Sequence, residues 1–233
     1  MTPTVTVVIP HYYEVRKEYI GQIANALNNG TVKPLEILVW NDGLTPFSGL
    51  PDNVHVLTPH RPIGSKARYL AGLCALGDYI LFHDNDMMVE SRTVEGLLKY
   101  ATEDNILSLE GRQVRDEFHG PMSDFNRLNG STITIPTPVD IPHSEISMSH
   151  RRTANMLLGY IPFTEPDCEM DDIWYAAVAK HHGFGRFVIP FTPGAGFIRL
   201  SEKGVGMWKD KNFYKDRDAL VRIHWAENFS AKH

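Results

Sequence analysis

The sequence predicts an α/β fold in one domain, a mainly parallel sheet with flanking helices. Three observations carry this. Short β-branched or apolar runs alternate with segments of helical periodicity over the first 109 residues, the signature of right-handed βαβ units. No linker, internal repeat or low-complexity run divides the 233 residues. Three of the apolar runs end in polar residues, at His11 and Tyr12, at Asn41 and Asp42, and at Asp84 and Asp86. In parallel sheets ligands bind beyond the carboxyl ends of the strands, so these residues mark one edge as a site.

The elements follow in order. Val5-Thr6-Val7-Val8-Ile9 reads as a buried strand stopped by Pro10. Residues 14–29 place Tyr19, Ile20, Ile23 and Leu27 on one helical face, and Gly30 stops the helix. Residues 35–40 form a second strand, ended by the turn Asn41-Asp42-Gly43, and His55-Val56-Leu57 a third. Residues 65–76 read as a helix ended by Gly77, followed by a strand over 79–82. Residues 91–100 read as a helix capped by Ser91, and 105–109 as a strand. Residues 110–148 read as irregular, with a strand over 132–135. Helices are expected over 152–158, 171–182 and 214–225, with a strand over 186–189. The glycines of 193–206 predict a mobile segment, and residues 194–208 read as a lid over bound ligand, with Trp208 as an apolar wall, or as a plain surface loop.

Composition excludes several classes. A net charge of −5 gives no overall footprint for nucleic acid or anionic membrane. Residues 199–222 nevertheless hold seven Lys/Arg against four Asp/Glu, a local basic stretch. Cys74 and Cys168 form no paired spacing, and a reduced, cytoplasmic setting is the expectation. No apolar run is long enough to span a bilayer, and the N-terminus lacks the regions of a signal peptide.

The chemistry begins at Asp84-Asn85-Asp86. Residues at i and i+2 of an extended strand point to one side, so Asp84 and Asp86 converge on one divalent cation if the strand geometry persists. Oxygen ligands suit Mg²⁺ or Mn²⁺. The plain alternative is a solvated acidic turn. Asp42 is either a ligand contact or a turn residue before Gly43. Arg68 and, less strongly, Lys66 are candidate diphosphate contacts near a helix start. Glu165, Asp167, Glu169, Asp171 and Asp172 crowd five carboxylates into eight residues, which serves either a helix N-terminus or a general base. His143, His150, Arg151 and Arg152 either contact an anionic acceptor or are solvated.

Five segments together resemble a glycosyltransferase of GT-A (Rossmann-like) fold and family 2 type. Val7-Val8-Ile9-Pro10-His11-Tyr12-Tyr13-Glu14 resembles the opening strand. Val39-Trp40-Asn41-Asp42-Gly43 resembles the nucleotide turn. Gly64-Ser65-Lys66-Ala67-Arg68-Tyr69-Leu70-Ala71-Gly72 resembles the Gly-x-x-x-Ala-Arg-Asn-x-Gly helix. Residues 79–86 resemble the metal strand with its Asp-x-Asp. Residues 152–184 resemble the acceptor block, with Leu158-Gly159-Tyr160-Ile161-Pro162-Phe163 near its Gly-Gly-Phe segment and Asp171-Asp172 at its Glu-Asp pair. Tyr69, Asn41 and Asp171 depart from the pattern, and the Arg-Trp motif of processive synthases is absent, which favours transfer of a single sugar.

The resemblance implies a metal-dependent, inverting, hexosyltransferase-type enzyme with Mn²⁺ or Mg²⁺. Its donor would be a nucleotide sugar, a UDP-sugar such as UDP-glucose being favoured. Its acceptor hydroxyl would belong to a glycan, a protein or hydroxymethylated DNA. Donor binding falls to Pro10, His11, Tyr12, Glu14, Asp42, Gly64, Lys66, Arg68, Asp84 and Asn85. Asp84, Asp86 and His224 are the metal candidates, with His224 otherwise a packing histidine. Asp172 is the base by its spacing from Gly183, with Asp171 as the other choice. Within the single domain, residues 1–112 would bind donor, 113–192 acceptor, and 193–233 would supply the lid and C-terminal segment. The competing readings are a nucleotidyltransferase, which would want a Gly-rich phosphate loop that His11-Tyr12-Tyr13 does not provide, and a non-catalytic nucleotide-sugar binder.

Overall fold

The structure is a computed structural model that describes residues 2–43, 46–114, 126–160, 171–201, 203 and 213–225. Its centre is β1 (Val5–His11), which runs parallel to β2 (Glu36–Asn41) on one side and to β4 (Tyr79–His83) on the other. β3 (Val54–Leu57) extends the parallel run beyond β2. β11 (Ile146–His150) is antiparallel both to β4 and to β6 (Asn105–Ser108), so β6 points the same way as β4. β12 (Gly185–Val188) is parallel to β6, and β9 (Thr137–Pro138) closes the sheet antiparallel to it. The order is β3-β2-β1-β4-β11-β6-β12-β9, with only β11 and β9 reversed.

Alternation along the strands buries both faces. Val7 and Ile9 face α1 (Lys17–Asn28), packing with its Tyr19, Ile20, Ile23 and Leu27. Val8, Leu38, Ile80 and Phe82 face the opposite layer. That layer holds α2 (Ala67–Gly72), α4 (Arg151–Leu158) and α5 (Asp171–His181), through Tyr69, Leu157 and Tyr175. α6 (Phe213–His224) and the following Trp225 dock on α5 in a smaller cluster with Ile173, Ala176 and Leu220. α3 (Thr93–Leu98) completes the α1 side through Val94 and Leu97. Among the described residues no helix is long and apolar enough to cross a membrane.

Several expectations are corrected. Pro10 does not stop β1, which continues to His11. The ladder to β4 already ends at Val8, so the donor that proline lacks is not needed on that side. Gly77 is dictated by more than helix termination, because a Cβ there would lie 2.5 Å from the Thr6 backbone nitrogen. Ser91 is not the cap of α3; Arg92 holds that position without a side-chain bond, and the Ser91 carbonyl instead accepts from the Thr31 amide at 2.8 Å. The described parts of residues 110–148 are not irregular. β7 (Glu110–Gln113), β8 (Asn126–Asn129) and β10 (Ile141–Pro142) form an antiparallel sheet in the order β10-β7-β8, and β11 enters the central sheet. The strand expected at 132–135 is displaced by a 3-10 turn, Gly130–Thr132, capped by the Asn129 side chain.

The segment expected to be mobile is tied down where it is described. β13 (Phe197–Arg199) pairs with β5 (Met87–Val89), and the amides of Gly194 and Gly196 both donate to Glu90 Oε2, at 3.0 and 2.7 Å. Trp208, Cys168, Glu165, Asp167, Glu169 and residues 161–163 lie outside the described residues.

Candidate functional site

A cavity of about 660 Å³ opens at the carboxyl edge of β1 and β4, a size usual for small-molecule sites. Pro10, Tyr12, Gly64, Arg68, Asp84, Asn85, Asp86, Asp171 and Asp172 all line it, so nine of the predicted site residues share one space. They come from four separate stretches of chain.

Asp84 and Asp86 do not continue the strand. β4 ends at His83, and the chain turns before β5 begins at Met87. The turn is anchored on both sides: the Asp84 amide donates to the Glu145 carbonyl at 2.8 Å, and the Leu200 amide to the Asp86 carbonyl at 2.7 Å. The two carboxylates therefore reach one cavity through a pinned turn rather than through the i, i+2 geometry of an extended strand. Asp84 Oδ1 pairs with Arg68 Nη1 at 2.7 Å and Asp86 Oδ2 with Arg16 Nη1 at 2.8 Å, which engages one oxygen of each. Burial and the neighbouring Asp84 charge push the Asp86 carboxyl up to about 6, despite Arg16. Two oxygen donors that repel each other at a cavity wall fit a hard divalent cation.

Arg68 is buried and fixed from several directions. Its Nη1 also donates to the Ser144 carbonyl at 2.9 Å, and its Nε lies 2.8 Å from Asp171 Oδ2, off the direction of a good hydrogen bond. One guanidinium thus ties the Asp84 turn to the start of α5. Burial, together with the charges of Asp172 and Asp84, drives the Asp171 carboxyl up to about 6 against the pull of Arg68.

Asp172 has the opposite environment. Arg217 of α6 grips it as a fork, Nη1 to Oδ1 at 2.8 Å and Nη2 to Oδ2 at 2.5 Å. Burial raises the Asp172 carboxyl, but the guanidinium outweighs it and holds the group below the ordinary range. Adjacent acids are thereby pushed apart in proton affinity.

Apart from His143, sequence reasoning missed the far wall. Arg112 of β7, Arg127 of β8, Glu145, Arg199 and Arg217 line the cavity there, together with His143. Buried Glu110 is the hub. Arg127 pairs with its Oε2, Asn129 Nδ2 donates to Oε1 at 2.5 Å, and Arg199 Nη2 reaches Oε2 at 2.6 Å. Arg199 also makes two bonds to Glu145, at 3.0 and 2.7 Å. His143 Nδ1 lies 3.7 Å from Glu110 and 3.8 Å from Glu145. Burial lowers the His143 proton affinity, but the two carboxylates more than reverse it. Ligand atoms of Glu110, His143 and Glu145 fall within 4.8 Å of one another, yet two arginines already supply positive charge to them.

Five predicted residues do not line the cavity. His11 is buried under it, 3.4 Å from Asn85 through Nδ1 and edge-on to Phe47, and burial lowers it to about 4. Glu14 is exposed at a 3-10 turn. Lys66 is buried beside the start of α2. Asp42 has its carboxylate filled by this chain: Oδ1 accepts from Trp40 Nε1 at 2.7 Å, and Oδ2 from the amides of Ile63 and Gly64 at 3.0 and 2.7 Å. It holds the loop in which Gly64 takes a φ of 83°, a conformation that favours glycine. His224 packs edge-on to Trp174, and its backbone carbonyl accepts from Lys180 at 3.1 Å. It is not brought to Asp84 and Asp86. Of the other basic candidates, only His143 reaches the cavity. His150 caps α4, and Arg151 donates to the Leu76 carbonyl at 2.9 Å.

Residues 6–116 match the family described as glycosyl transferase family 2. No curated protein matches the chain. Among solved structures, S. aureus TarS residues 1–349 in complex with UDP-GlcNAc is similar at 16% identity with a TM-score of 0.62, over 99% of this chain and 68% of that one. The same S. aureus TarS fragment on its own gives 14% and 0.57, with 66% of it covered. A further S. aureus TarS structure gives 15% and 0.58, with 40% of it covered, so this chain spans well under half of that protein. At such identities the structural likeness speaks for fold, while the sequence match speaks for the family over the first half. The structural likeness gives the chain a GT-A, family 2-like fold, and the sequence match to the family covers residues 6–116.

Proposed function

We propose that the protein transfers one sugar from a nucleotide-sugar donor, a UDP-sugar being favoured, to an acceptor hydroxyl with inversion. The observation that carries this reading is the meeting of Asp84, Asp86 and the Asp171–Asp172 pair in one cavity. S. aureus TarS, similar in fold, has been solved with UDP-GlcNAc, which supports a nucleotide-sugar donor here.

Asp84 and Asp86 would hold Mn²⁺ or Mg²⁺. The cation would supply charge neutralisation at the leaving diphosphate. His224 is dropped from the metal set. Tyr12, whose buried hydroxyl has no hydrogen-bond partner, is a group that donor oxygens would satisfy. Asp42 acts by holding the loop at Gly64, beside the donor. Asp172 is the base: Asp171 is committed to Arg68 and the Asp84 turn, whereas the partner of Asp172 lies on a separate C-terminal helix. In the transfer the acceptor oxygen bonds to the anomeric carbon from the face opposite the leaving group. The bond from that carbon to the diphosphate oxygen breaks, and the acceptor proton passes to Asp172. Residues 1–112 supply the donor side, and 113–192 with the C-terminal segment supply the other wall.

Among the described residues of the basic stretch, most cations are committed within the chain. Arg199, Lys203, Arg217 and Arg222 each pair with a carboxylate of this chain.

Turnover of UDP-, GDP- and dTDP-sugars, with Mn²⁺ or with chelator, tests the reading. Metal-dependent release of one nucleoside diphosphate is expected. Binding without turnover of any donor would leave a nucleotide-sugar binder instead.

A further inference from the structure

We infer that Arg199 is a positioning residue for the candidate metal turn: by clasping Glu145 it holds Asp84-Asn85-Asp86 in the shape that brings two carboxylates to one cation. The inference rests on the proposed metal-dependent transferase reading and gives a role there to a residue on the opposite wall. Both ends of the turn are held by hydrogen bonds from outside it. The Asp84 amide donates to the Glu145 carbonyl at 2.8 Å, and the Leu200 amide to the Asp86 carbonyl at 2.7 Å. Glu145 and Arg199, the residue before Leu200, are themselves joined. Arg199 Nη1 donates to Glu145 Oε1 at 3.0 Å and Nη2 to Oε2 at 2.7 Å, a bidentate fork. The entry and the exit of the turn are thus carried on one Arg–Glu clasp.

Arg199 is fixed from other directions as well. In the β13–β5 ladder it stands opposite Met87, the first residue after the turn. Its Nη1 lies 3.7 Å from Met87 Sδ, and its Nη2 lies 2.6 Å from Glu110 Oε2. The flanks of β13 are tied down too. Glu90 accepts from the amides of Gly194 and Gly196, and Lys203 Nζ reaches Glu18 Oε1 at 2.6 Å, with Tyr19 beneath it. The turn cannot move at both ends without parting the clasp or the ladder beside it.

Folding stability alone gives little reason for the clasp. Arg199 is 44% exposed and Glu145 30%, and exposed pairs contribute little to folding. Both line the cavity, and the charges of both act on the Asp86 carboxyl. Groups that orient metal ligands without touching the metal set its affinity by about 10–100-fold.

The test uses the full chain with saturating UDP, and reads Mn²⁺ affinity from the paramagnetic resonance signal of the free ion. Arg199→Lys keeps the charge but loses the fork. Glu145→Leu removes the partner. Each should weaken Mn²⁺ binding on the order of tenfold, and the combined variant should bind no more weakly than either, because both break a single clasp. The urea midpoint of Arg199→Lys should stay near that of the parent. Three patterns would overturn the inference. Unchanged Mn²⁺ affinity in Arg199→Lys, with weakening in Glu145→Leu, would leave only charge acting at the cation. Weakening in Arg199→Lys with tightening in Glu145→Leu would make the freed guanidinium a direct diphosphate ligand. Losses that add in the combined variant, or a large fall in the Arg199→Lys midpoint, would reduce the pair to separate or purely structural contacts. A parent protein that binds no Mn²⁺ beside UDP would remove the metal reading, and this inference with it; a parent that binds Mn²⁺ regardless of the clasp would remove this inference alone.

Discussion

The two walls of the cavity are built by opposite rules. The wall proposed for the donor is made from strand ends and the turns that follow them, and its charges are Asp84, Asp86 and Asp171 against Arg16 and Arg68. The facing wall is made from a small antiparallel sheet, β13 and α6, and there arginines outnumber carboxylates. One side gathers carboxylates at strand ends and the other gathers arginines, across a single cavity. The lesson is that net charge describes neither, since each wall is set by contacts within a few ångströms.

Six substitutions would break or sharpen this contrast, from the largest expected effect to the smallest. Asp172→Asn should lower transfer by about 10²–10⁴-fold, the usual contribution of a general base, with donor affinity retained. If UDP·Mn²⁺ affinity falls with it, Asp172 belongs to the donor wall and the division fails; steady-state rates and calorimetry decide. Arg68→Met removes the cation shared by buried Asp84 and Asp171, and should cost about 3–5 kcal/mol in urea unfolding. Asp42→Ala strands three N–H donors, from Trp40, Ile63 and Gly64, and should cost about 2–3 kcal/mol. A variant of unchanged stability with weakened UDP binding would return Asp42 to a donor contact. Arg199→Leu takes one guanidinium from Glu110 and Glu145, but Arg199 is 44% exposed and Arg127 remains, so a loss of only about 1 kcal/mol is expected.

The smallest effect is in pH. His11 titrates at about 4 in the fold against 6.5 unfolded, because burial disfavours its charge. Below pH 6.5 the unfolded chain takes the proton first, so its contribution declines as pH falls from 6.5 towards 4. Glu110 is the reverse case. Its partners hold it at about 2 against 4.5, even though burial opposes them, so its contribution is complete above 4.5 and is lost as pH falls towards 2. Urea midpoints across pH for His11→Gln and Glu110→Gln should show these two windows separately. A His11→Gln variant that keeps the full slope between pH 6.5 and 4 would remove His11 as its source.

The contrast also explains what the sequence revealed. The parallel half was legible because each strand and helix carries its own periodicity, and Asp84 and Asp86 lie next to the strand that presents them. The facing wall was not, because its bonds join distant residues. Arg199 meets Glu110 across 89 positions and Glu145 across 54. The opposition of Arg112 and Arg127 exists only once the register of β7 and β8 is known. The loop-holding bonds of Asp42 were hidden for a related reason: its turn was visible, but its amide donors lie 21 and 22 residues onward. His224 illustrates the limit of a lone histidine, which specifies no site until its neighbours are known, and those are Trp174 and Lys180.

The fork between Arg217 and Asp172 has a consequence for economy. While the guanidinium holds both carboxylate oxygens, a stray water in a donor-loaded cavity meets a group with little appetite for its proton. On the proposed reading, the fork would restrain hydrolysis of the sugar nucleotide by lowering the basicity of Asp172. Loosening that latch should appear as sugar lost to solvent rather than as faster product formation.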